Sequence, residues 1–293
     1  LMGSPLSEVE RYGGAAARPN DELLHRRRIG RVYAIGMHEV TVAQFRAFRA
    51  NHSFNKVYST ADDAPANRIT WYDAAAFCNW LSEQEGLPRE QWCYDPEQQF
   101  SSGMLLKANF LELEGYRLPT ESEWESAARG GTLTSRFFGS DRGLLSDYAW
   151  YLDNSKQQGM LPVGSLRPNP FGLFEVYGNA SEWCQDQAVY FRSNRQFLAD
   201  GPNSGAGGEV VDTSSRVLRG GSFNFSATLV RSASRSSDRP DLLVNNGGFR
   251  VSRTYNLPPK LLYPLLRFLR FAIPATGGLR RKAAKFRQPN SHF

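Results

Sequence analysis

Cysteine and histidine are scarce in this chain of 293 residues. The three cysteines form no CxxC pair and no spacing typical of a metal site, and three thiols allow at most one disulfide. The four histidines are scattered, without an HxH or HxxxE pattern. The seven residues are Cys78, Cys93, Cys184, His25, His38, His52 and His292. This distribution predicts buried, reduced thiols and argues against a mononuclear iron centre.

Long apolar runs and a basic main domain are absent too. No stretch reaches the roughly 20 apolar residues that span a bilayer. The net charge of +6 alone would suggest a nucleic-acid partner, but the positions of the charges argue against one. Eight cationic side chains and no acidic one lie in residues 256–293, so the first 255 residues carry a net charge of −2. We therefore expect no nucleic-acid partner for the main domain, and any electrostatic partner belongs to the tail.

Apolar and aromatic residues are abundant, at 41% and 13% of the chain, which is enough to build one large core. The residue patterns predict a strand over 29–36, a helix that begins after Thr41 and a helix over 71–85 followed by Gly86 as its C-terminal glycine. Thr120 with Glu123 predicts a capping box at the start of a third helix. Few helices, short strands and many loops predict an α+β fold.

Residues 87–114 form an insertion-like region between the second and third predicted helices. Its apolar residues around Trp92 and Met104 predict a surface subdomain that packs on the core.

Three motifs follow one another along the chain. Residues 115–125 read GYRLPTESEWE, residues 178–183 read GNASEW, and residues 216–253 contain RGGS, RSASR and GFR. Together they resemble the formylglycine-generating-enzyme (sulfatase-modifying factor) family, a large variant of the C-type lectin fold. The resemblance implies one such domain over 1–255 and a separate basic tail over 256–293. It implies scaffold roles for the arginines and glycines of the motifs.

Family members that oxidise a sulfatase cysteine use a pair of cysteines shortly after the GGS motif, which the family's mechanism ties to copper and dioxygen. Here residues 223–230 read FNFSATLV, and no cysteine follows Cys184. Because soft Cu(I) prefers thiolate ligands, hydroxyl and aromatic side chains cannot replace that pair. A sulfoxide-forming branch draws iron-binding histidines mostly from a separate helical domain. The resemblance therefore implies a protein that is not an enzyme and holds neither copper nor iron.

Residues 172–183 match the family segment that wraps a calcium ion. The resemblance implies oxygen ligands from the side chains of Glu175 and Glu182 and from the carbonyl groups of Gly178 and Ala180. Calcium is a hard cation that accepts such an oxygen set, so we expect a structural Ca²⁺. The alternative is that Glu182 pairs with an arginine or accepts backbone N–H bonds.

In the intervals between the motifs of residues 216–253, the residue types differ from those of the family, whereas the lengths of the intervals are the same. Family members are commonly rich in Asn and Arg there, whereas this chain carries Phe, Ser, Thr, Leu, Val and Asp. This resembles the variable proteins of diversity-generating retroelements, in which adenine-specific mutagenesis rewrites Asn codons. The predicted ligand-binding residues are Phe223, Phe225, Ser226, Thr228, Leu229, Ser234, Ser236, Ser237, Asp238, Leu242, Leu243, Val244, Asn245 and Asn246. Nearly all are amino acids with pyrimidine-ending codons, although ordinary drift in a loop gives the same picture.

The sequence thus predicts a non-enzymatic ligand-binding protein whose diversified surface contacts a protein partner, because apolar groups lie among Ser, Asn and Asp. Such a surface requires these side chains to be mostly exposed on one face of a fixed backbone. The alternative is an enzyme or accessory domain of the formylglycine-generating family, fused to a kinase-linked signalling protein.

Both ends of the chain leave questions open. The first four residues match the family's entry strand rather than a natural start, so a leader or another domain upstream is not excluded, and the compartment is undetermined. The tail either packs back on the domain or contacts another subunit, a partner or an anionic membrane surface through its basic residues at 280–287.

Overall fold

The computed structural model describes residues 1–5, 7–8, 10, 22–155, 158–189, 198–199, 208–256 and 269–271. Its α-helices are α1 (Val42–Phe48), α2 (Trp71–Gln84) and α3 (Glu121–Arg129). Each helix follows an extended threonine that forms a capping box with the third helical residue. The box satisfies two backbone N–H groups that a helix start leaves unpaired. The predicted caps at Thr41 and Thr120 are confirmed, and Gly86 follows α2 with a φ of +71°.

The strands are short, as predicted. They are β1 (Arg27–Arg28), β2 (Val32–Gly36), β3 (Met104–Leu105), β4 (Tyr116–Arg117), β5 (Ala149–Trp150), β6 (Tyr177–Gly178), β7 (Ser181–Gln187), β8 (Leu198–Ala199), β9 (Glu209–Val210), β10 (Arg216–Arg219), β11 (Arg235–Asp238), β12 (Gly247–Gly248), β13 (Ser252–Tyr255) and β14 (Leu269–Phe271). The strand predicted over 29–36 is confirmed from Val32 onward.

Two sheets of four strands organise the described residues, in the orders β11-β10-β7-β12 and β14-β2-β13-β4. In the first, β7 runs antiparallel to β10 and parallel to β12. In the second, β13 runs antiparallel to both β2 and β4. Neighbouring strands are distant in sequence, so loops from both halves of the chain meet at the sheet edges. The arrangement confirms the predicted α+β class.

The main core lies between α2 and the first sheet. The side chains of Trp71, Phe77, Trp183 and Phe249 are fully buried there. The rings of Phe77 and Phe249 meet edge to face with centroids 5.4 Å apart, a geometry that adds about 0.5–1.5 kcal/mol beyond area burial. The insertion contributes Tyr94 and other residues to the same core, so the prediction that it packs on the domain is confirmed.

One segment of the tail joins the second sheet. Strand β14 pairs in parallel with β2, in a register that places Leu269 opposite Ala34. This pairing fits the expectation that the tail packs back on the domain, whereas the basic residues at 280–287 lie outside the described residues. No α-helix in the described ranges is long and apolar enough to cross a membrane.

A fully buried ion pair stabilises the start of α3. Arg117 donates to both carboxylate oxygens of Glu123, at 2.6 and 2.7 Å, and Arg31 donates to the same carboxylate at 2.8 Å. Burial alone would raise the pKa of Glu123, but the two arginines outweigh it and lower the pKa from an ordinary 4.5 to about 2. The native state therefore holds this carboxylate in its charged form.

The free energy of unfolding should therefore be highest above the ordinary pKa of Glu123 and fall as pH decreases from about 4.5 to about 2, since the unfolded chain takes up the proton first. Glu123→Gln should remove this part of the pH dependence and cost about 3–5 kcal/mol at pH 7, because it leaves Arg117 buried without its partner. Denaturant titrations at several pH values measure both. Glu97→Gln, which breaks an exposed pair with Arg89, is the control; an equal loss of pH dependence in both variants would contradict this assignment.

Candidate binding surface

The GGS motif makes a turn at which the backbone is closely packed. Strand β10 ends at Arg219, and Gly220 and Gly221 follow with φ values of +88° and +73°. A Cβ on Gly221 would lie 2.8 Å from the Val230 side chain and 2.9 Å from the Leu229 carbonyl oxygen. Only glycine is therefore compatible with this turn, which brings the segment after Ser222 back over the sheet.

Beyond the turn, side-chain amides join the two predicted variable segments. The side-chain nitrogen Nδ2 of Asn246 donates to the Ser222 hydroxyl and to the side-chain oxygen Oδ1 of Asn224, both at 3.0 Å. The Ser222 hydroxyl itself donates to Asn224 at 2.6 Å. Asn55 lies within 3.5 Å of the Asn245 amide oxygen. We call Asn55, Ser222, Asn224, Asn245 and Asn246 the amide cluster.

Several exposed apolar side chains are close to this cluster. Two precede Asn245 in the chain, and two others belong to residues whose backbone N–H groups bond to the cluster or to the residue after Asn224. Leu242 and Leu243 precede Asn245 and are 38% and 48% exposed. Val57 is 71% exposed, and its N–H donates to the Asn55 side chain. Leu152 is 50% exposed, and its N–H donates to the Phe225 carbonyl. Exposed apolar and polar side chains therefore occur together in this part of the chain's surface.

The loop after Asn224 is held from beneath by two buried arginines. Arg136 donates to the carbonyls of Ala227 and Val230, at 2.6 and 3.0 Å. Arg231 donates to the Thr228 carbonyl at 2.7 Å and pairs with Glu22. Glu8 pairs with Arg231 as well, and Glu10 pairs with Arg136. Carboxylates of the N-terminal segment thus neutralise the cations that fix this loop.

Two predicted ligand-binding residues are buried, which corrects their assignment. Phe223 is 4% exposed, and its ring packs on Tyr58 with centroids 5.5 Å apart. Ser234 is 7% exposed, and its carbonyl accepts a hydrogen bond from Arg219. The prediction that Ser234 is exposed is wrong, because the backbone of the RSASR motif packs against Arg219, which donates hydrogen bonds to its carbonyl groups.

The predicted single face is also divided. Ser236, Ser237 and Asp238 lie in β11, at one edge of the first sheet, whereas Asn246 leads into β12 at the opposite edge. Three strand spacings separate these edges, about 14 Å. Only the residues around Asn224 and 242–246 are brought together with the amide cluster.

The remaining predicted residues are partly exposed, and several cluster residues were not predicted. Phe225, Ser226, Thr228, Leu229 and Val244 are half-buried. Asn55, Asn224, Val57 and Leu152 belong to the surface although the sequence did not indicate them. Asn224 could have been found, because the resemblance to retroelement variable proteins makes Asn a candidate type at variable positions. The others lie in separate loops, and their proximity depends on the tertiary fold.

The three cysteines are free and buried, as predicted. Burial raises the pKa of Cys78 and Cys184, and it raises that of Cys93 to about 12. These thiols therefore stay protonated at neutral pH.

The comparisons with known proteins agree with the sequence motifs. Residues 8–255 match the Sulfatase-modifying factor enzyme 1-like domain. The chain belongs to this family. Its fold is accordingly the C-type-lectin-like fold of the formylglycine-generating type, as the motifs predicted.

The chain is similar to an enzyme, to a protein kinase and to a variable protein. A formylglycine-generating enzyme of Streptomyces coelicolor is 37% identical over 210 residues, which cover 66% of this chain and 54% of that enzyme. The serine/threonine-protein kinase pkn1 of Chlamydia pneumoniae is 28% identical over 192 residues, 66% of this chain and 24% of the kinase. The solved variable protein 1 of Treponema denticola is 31% identical with a TM-score of 0.62, over 76% of this chain and 84% of that one. The chain spans about half the length of the Streptomyces enzyme.

The segment predicted to bind calcium contains a buried carboxylate–guanidinium pair. Arg250 donates to both oxygens of Glu182 at 2.6 Å, and the Trp124 ring N–H donates to the same carboxylate at 2.7 Å. The Glu175 carbonyl lies 3.5 Å from Arg250. Glu182 is therefore engaged as the alternative to calcium ligation describes.

Other oxygens of the segment are less fully engaged. One carboxylate oxygen of Glu175 is buried without a hydrogen bond, 3.5 Å from the ring of His38. Glu39, which the sequence did not indicate, accepts from the N–H of Ala180. Burial and the charges of Glu175 and Glu182 raise the pKa of Glu39 well above its ordinary value, against the effect of Arg250. The calcium site stays a prediction, and its side-chain oxygens would come from Glu175 rather than Glu182.

If Ca²⁺ binds the native state at this site, adding EGTA should lower the melting temperature and metal analysis should find one ion per chain, because binding to the native state alone stabilises it by mass action. Glu175→Gln should remove the EGTA effect, and Glu97→Gln should keep it. No ion and no EGTA effect in the parent protein would leave Glu182 with a purely structural role beside Arg250.

Proposed function

We propose that this chain is a non-enzymatic ligand-binding protein that contacts a protein partner through the amide cluster and the exposed residues around it. The observation that supports this proposal is the set of hydrogen bonds from Asn246 to Ser222 and Asn224. They link Asn246 to residues 222–224, which supports one binding surface around the amide cluster.

The scaffold supports variation at this surface. Arg219 donates to the carbonyls of Ser232 and Ala233 at 2.8 and 2.9 Å and pairs with Glu125. Arg250 and Arg136 hold other carbonyls in the same way. Because these contacts use the backbone of the loops, exposed side chains can be replaced without loss of the bonds that fix the fold.

The composition of the surface fits a protein partner. Asn224 and Asn245 are exposed and offer both donors and acceptors. Leu242, Leu243 and Val57 add apolar area at the edge of these amides. Exposed apolar area next to hydrogen-bonding groups is typical of protein-binding patches.

The likeness to the Treponema variable protein supports a retroelement origin of this diversity. Among the surface residues, Asn224, Asn245 and Asn246 keep the residue type from which adenine mutagenesis starts. Phe225, Leu242 and Leu243 are types that substitution at the first two codon positions yields.

The alternative function is that of an enzyme or an accessory domain within a larger kinase-linked protein. The similarity to the Streptomyces enzyme and to the Chlamydia kinase favours it. The lack of a cysteine after Cys184 and the raised pKa of the three thiols weigh against copper-dependent oxidation.

Sequencing the genomic neighbourhood of the coding region distinguishes the two. The proposal expects a near-copy of the codons for residues 216–254, with Asn codons at the exposed positions, beside a reverse-transcriptase gene. In parallel, purified protein should not convert a cysteine-containing sulfatase peptide in the presence of copper. Absence of the near-copy together with copper-dependent conversion would establish the enzymatic alternative instead.

Substitutions at the surface should change the free energy of unfolding little. Leu243→Ser and Asn245→Ser should each stay within about 0.5 kcal/mol of the parent, since these side chains are exposed. Phe223→Ala, in the other interval between the motifs, is the control and should cost about 3–5 kcal/mol, because it removes a buried ring. Denaturant titration measures all three. Large losses for Leu243→Ser and Asn245→Ser would show that this surface is part of the fold.

A further inference from the structure

One buried arginine of the described residues differs from all the others. Eight arginines are buried, and seven of them pair with a carboxylate. The seven pairs are Arg117–Glu123, Arg129–Glu125, Arg136–Glu10, Arg219–Glu125, Arg231–Glu22, Arg250–Glu182 and Arg253–Glu85. Arg216 is 2% exposed and lacks such a pair within the described part of the chain.

The surroundings of Arg216 leave hydrogen-bond donors unused. One terminal nitrogen donates to the Gln185 carbonyl at 2.9 Å, and the guanidinium lies over the Trp71 ring, 4.9 Å from its centroid. Its Nε is buried without an acceptor. The side-chain nitrogen of the fully buried Gln185 has no acceptor either.

The orientation of the Gln185 amide follows from its neighbour. The Tyr94 hydroxyl accepts from the Leu118 N–H at 3.1 Å and donates to the Gln185 Oε1, 2.6 Å away. Exchanging the amide oxygen and nitrogen would leave the Tyr94 proton without this acceptor. The Gln185 Nε2 therefore has two N–H donors and no acceptor.

The charge of Arg216 requires compensation. A guanidinium remains protonated in proteins, and burying an unpaired ion costs several kcal/mol. Burial lowers the pKa of Arg216, although Asp186 acts in the opposite direction. Asp186 accepts from the Glu121 N–H at the start of α3. The cation–π contact with Trp71 offsets only part of the cost, about 2 kcal/mol when desolvated.

We propose that Arg216 and Gln185 bind a small monovalent inorganic anion of the chloride type. The anion accepts from the free Nε of Arg216 and from the Gln185 amide, beside the rings of Trp71 and Tyr94. Both groups are donors, so an ion that only accepts satisfies them, whereas a water molecule would need acceptors for its own two protons. The site lies in the main core, apart from the amide cluster, and is independent of the proposed function.

Halide-dependent stability tests this site. At constant ionic strength, replacing sodium gluconate by sodium chloride should raise the melting temperature, because gluconate is much larger than chloride and should not replace it between two buried donors. Above the dissociation constant, each tenfold rise in chloride should add about 3–5 °C for a chain of this size. A melting temperature that does not respond to chloride would overturn the proposal.

Two variants separate binding at Arg216 from a general salt effect. Arg216→Met should fold, since no buried carboxylate loses its partner, and its melting temperature should no longer depend on chloride. Arg239→Met removes the same charge from an exposed pair with Asp241 and should keep the full chloride response. An equal response in both variants would refute the assignment to Arg216.

Crystals of the parent protein soaked in bromide provide a measurement that does not depend on a variant. An anomalous peak within hydrogen-bond distance of Arg216 Nε and Gln185 Nε2 is expected. A water molecule at that position, with no anomalous signal, would exclude the anion.

Discussion

The guanidinium of Arg250 is the contact on which the rest of this structure depends, because it joins the two sheets. It pairs with Glu182 in β7 of the first sheet and donates to the carbonyl of Gly36, the last residue of β2 in the second. It also donates to the Phe174 carbonyl in the irregular segment between them. A planar group with five donors can hold strands and loops at fixed positions without regular ladder pairing. Short strands are therefore compatible with a rigid fold.

Arginine contacts with backbone carbonyls also separate the proposed binding surface from the side chains that stabilise the fold. Buried arginines satisfy the backbone carbonyls of 227–234, and their charges are balanced by carboxylates elsewhere in the chain. Side chains such as Asn245 and Leu243 contribute nothing to these contacts. A surface of this kind can change its sequence at small energetic cost, whereas an enzyme must keep its catalytic side chains in position.

Local signals in the sequence predicted the elements better than the surface. The capping boxes at Thr41 and Thr120, and Gly86 after α2, depend on residues within one turn and were confirmed. The burial of Ser234 depends on Arg219, fifteen residues away, and the separation of Ser236 from Asn246 depends on the strand order. The family motifs predicted the fold, but they carried no information on how β11 and β12 are placed.

The support of the 227–230 loop comes from the opposite end of the polypeptide. Glu8, Glu10 and Glu22 neutralise Arg136 and Arg231, so three carboxylates near the start of the chain act as counter-ions for a loop that follows more than two hundred positions later. Loop and counter-ions can assemble only after nearly the whole domain has been synthesised. A nascent chain released before residue 231 would therefore lack the guanidinium that pairs with Glu8 and Glu22 and donates to the Thr228 carbonyl.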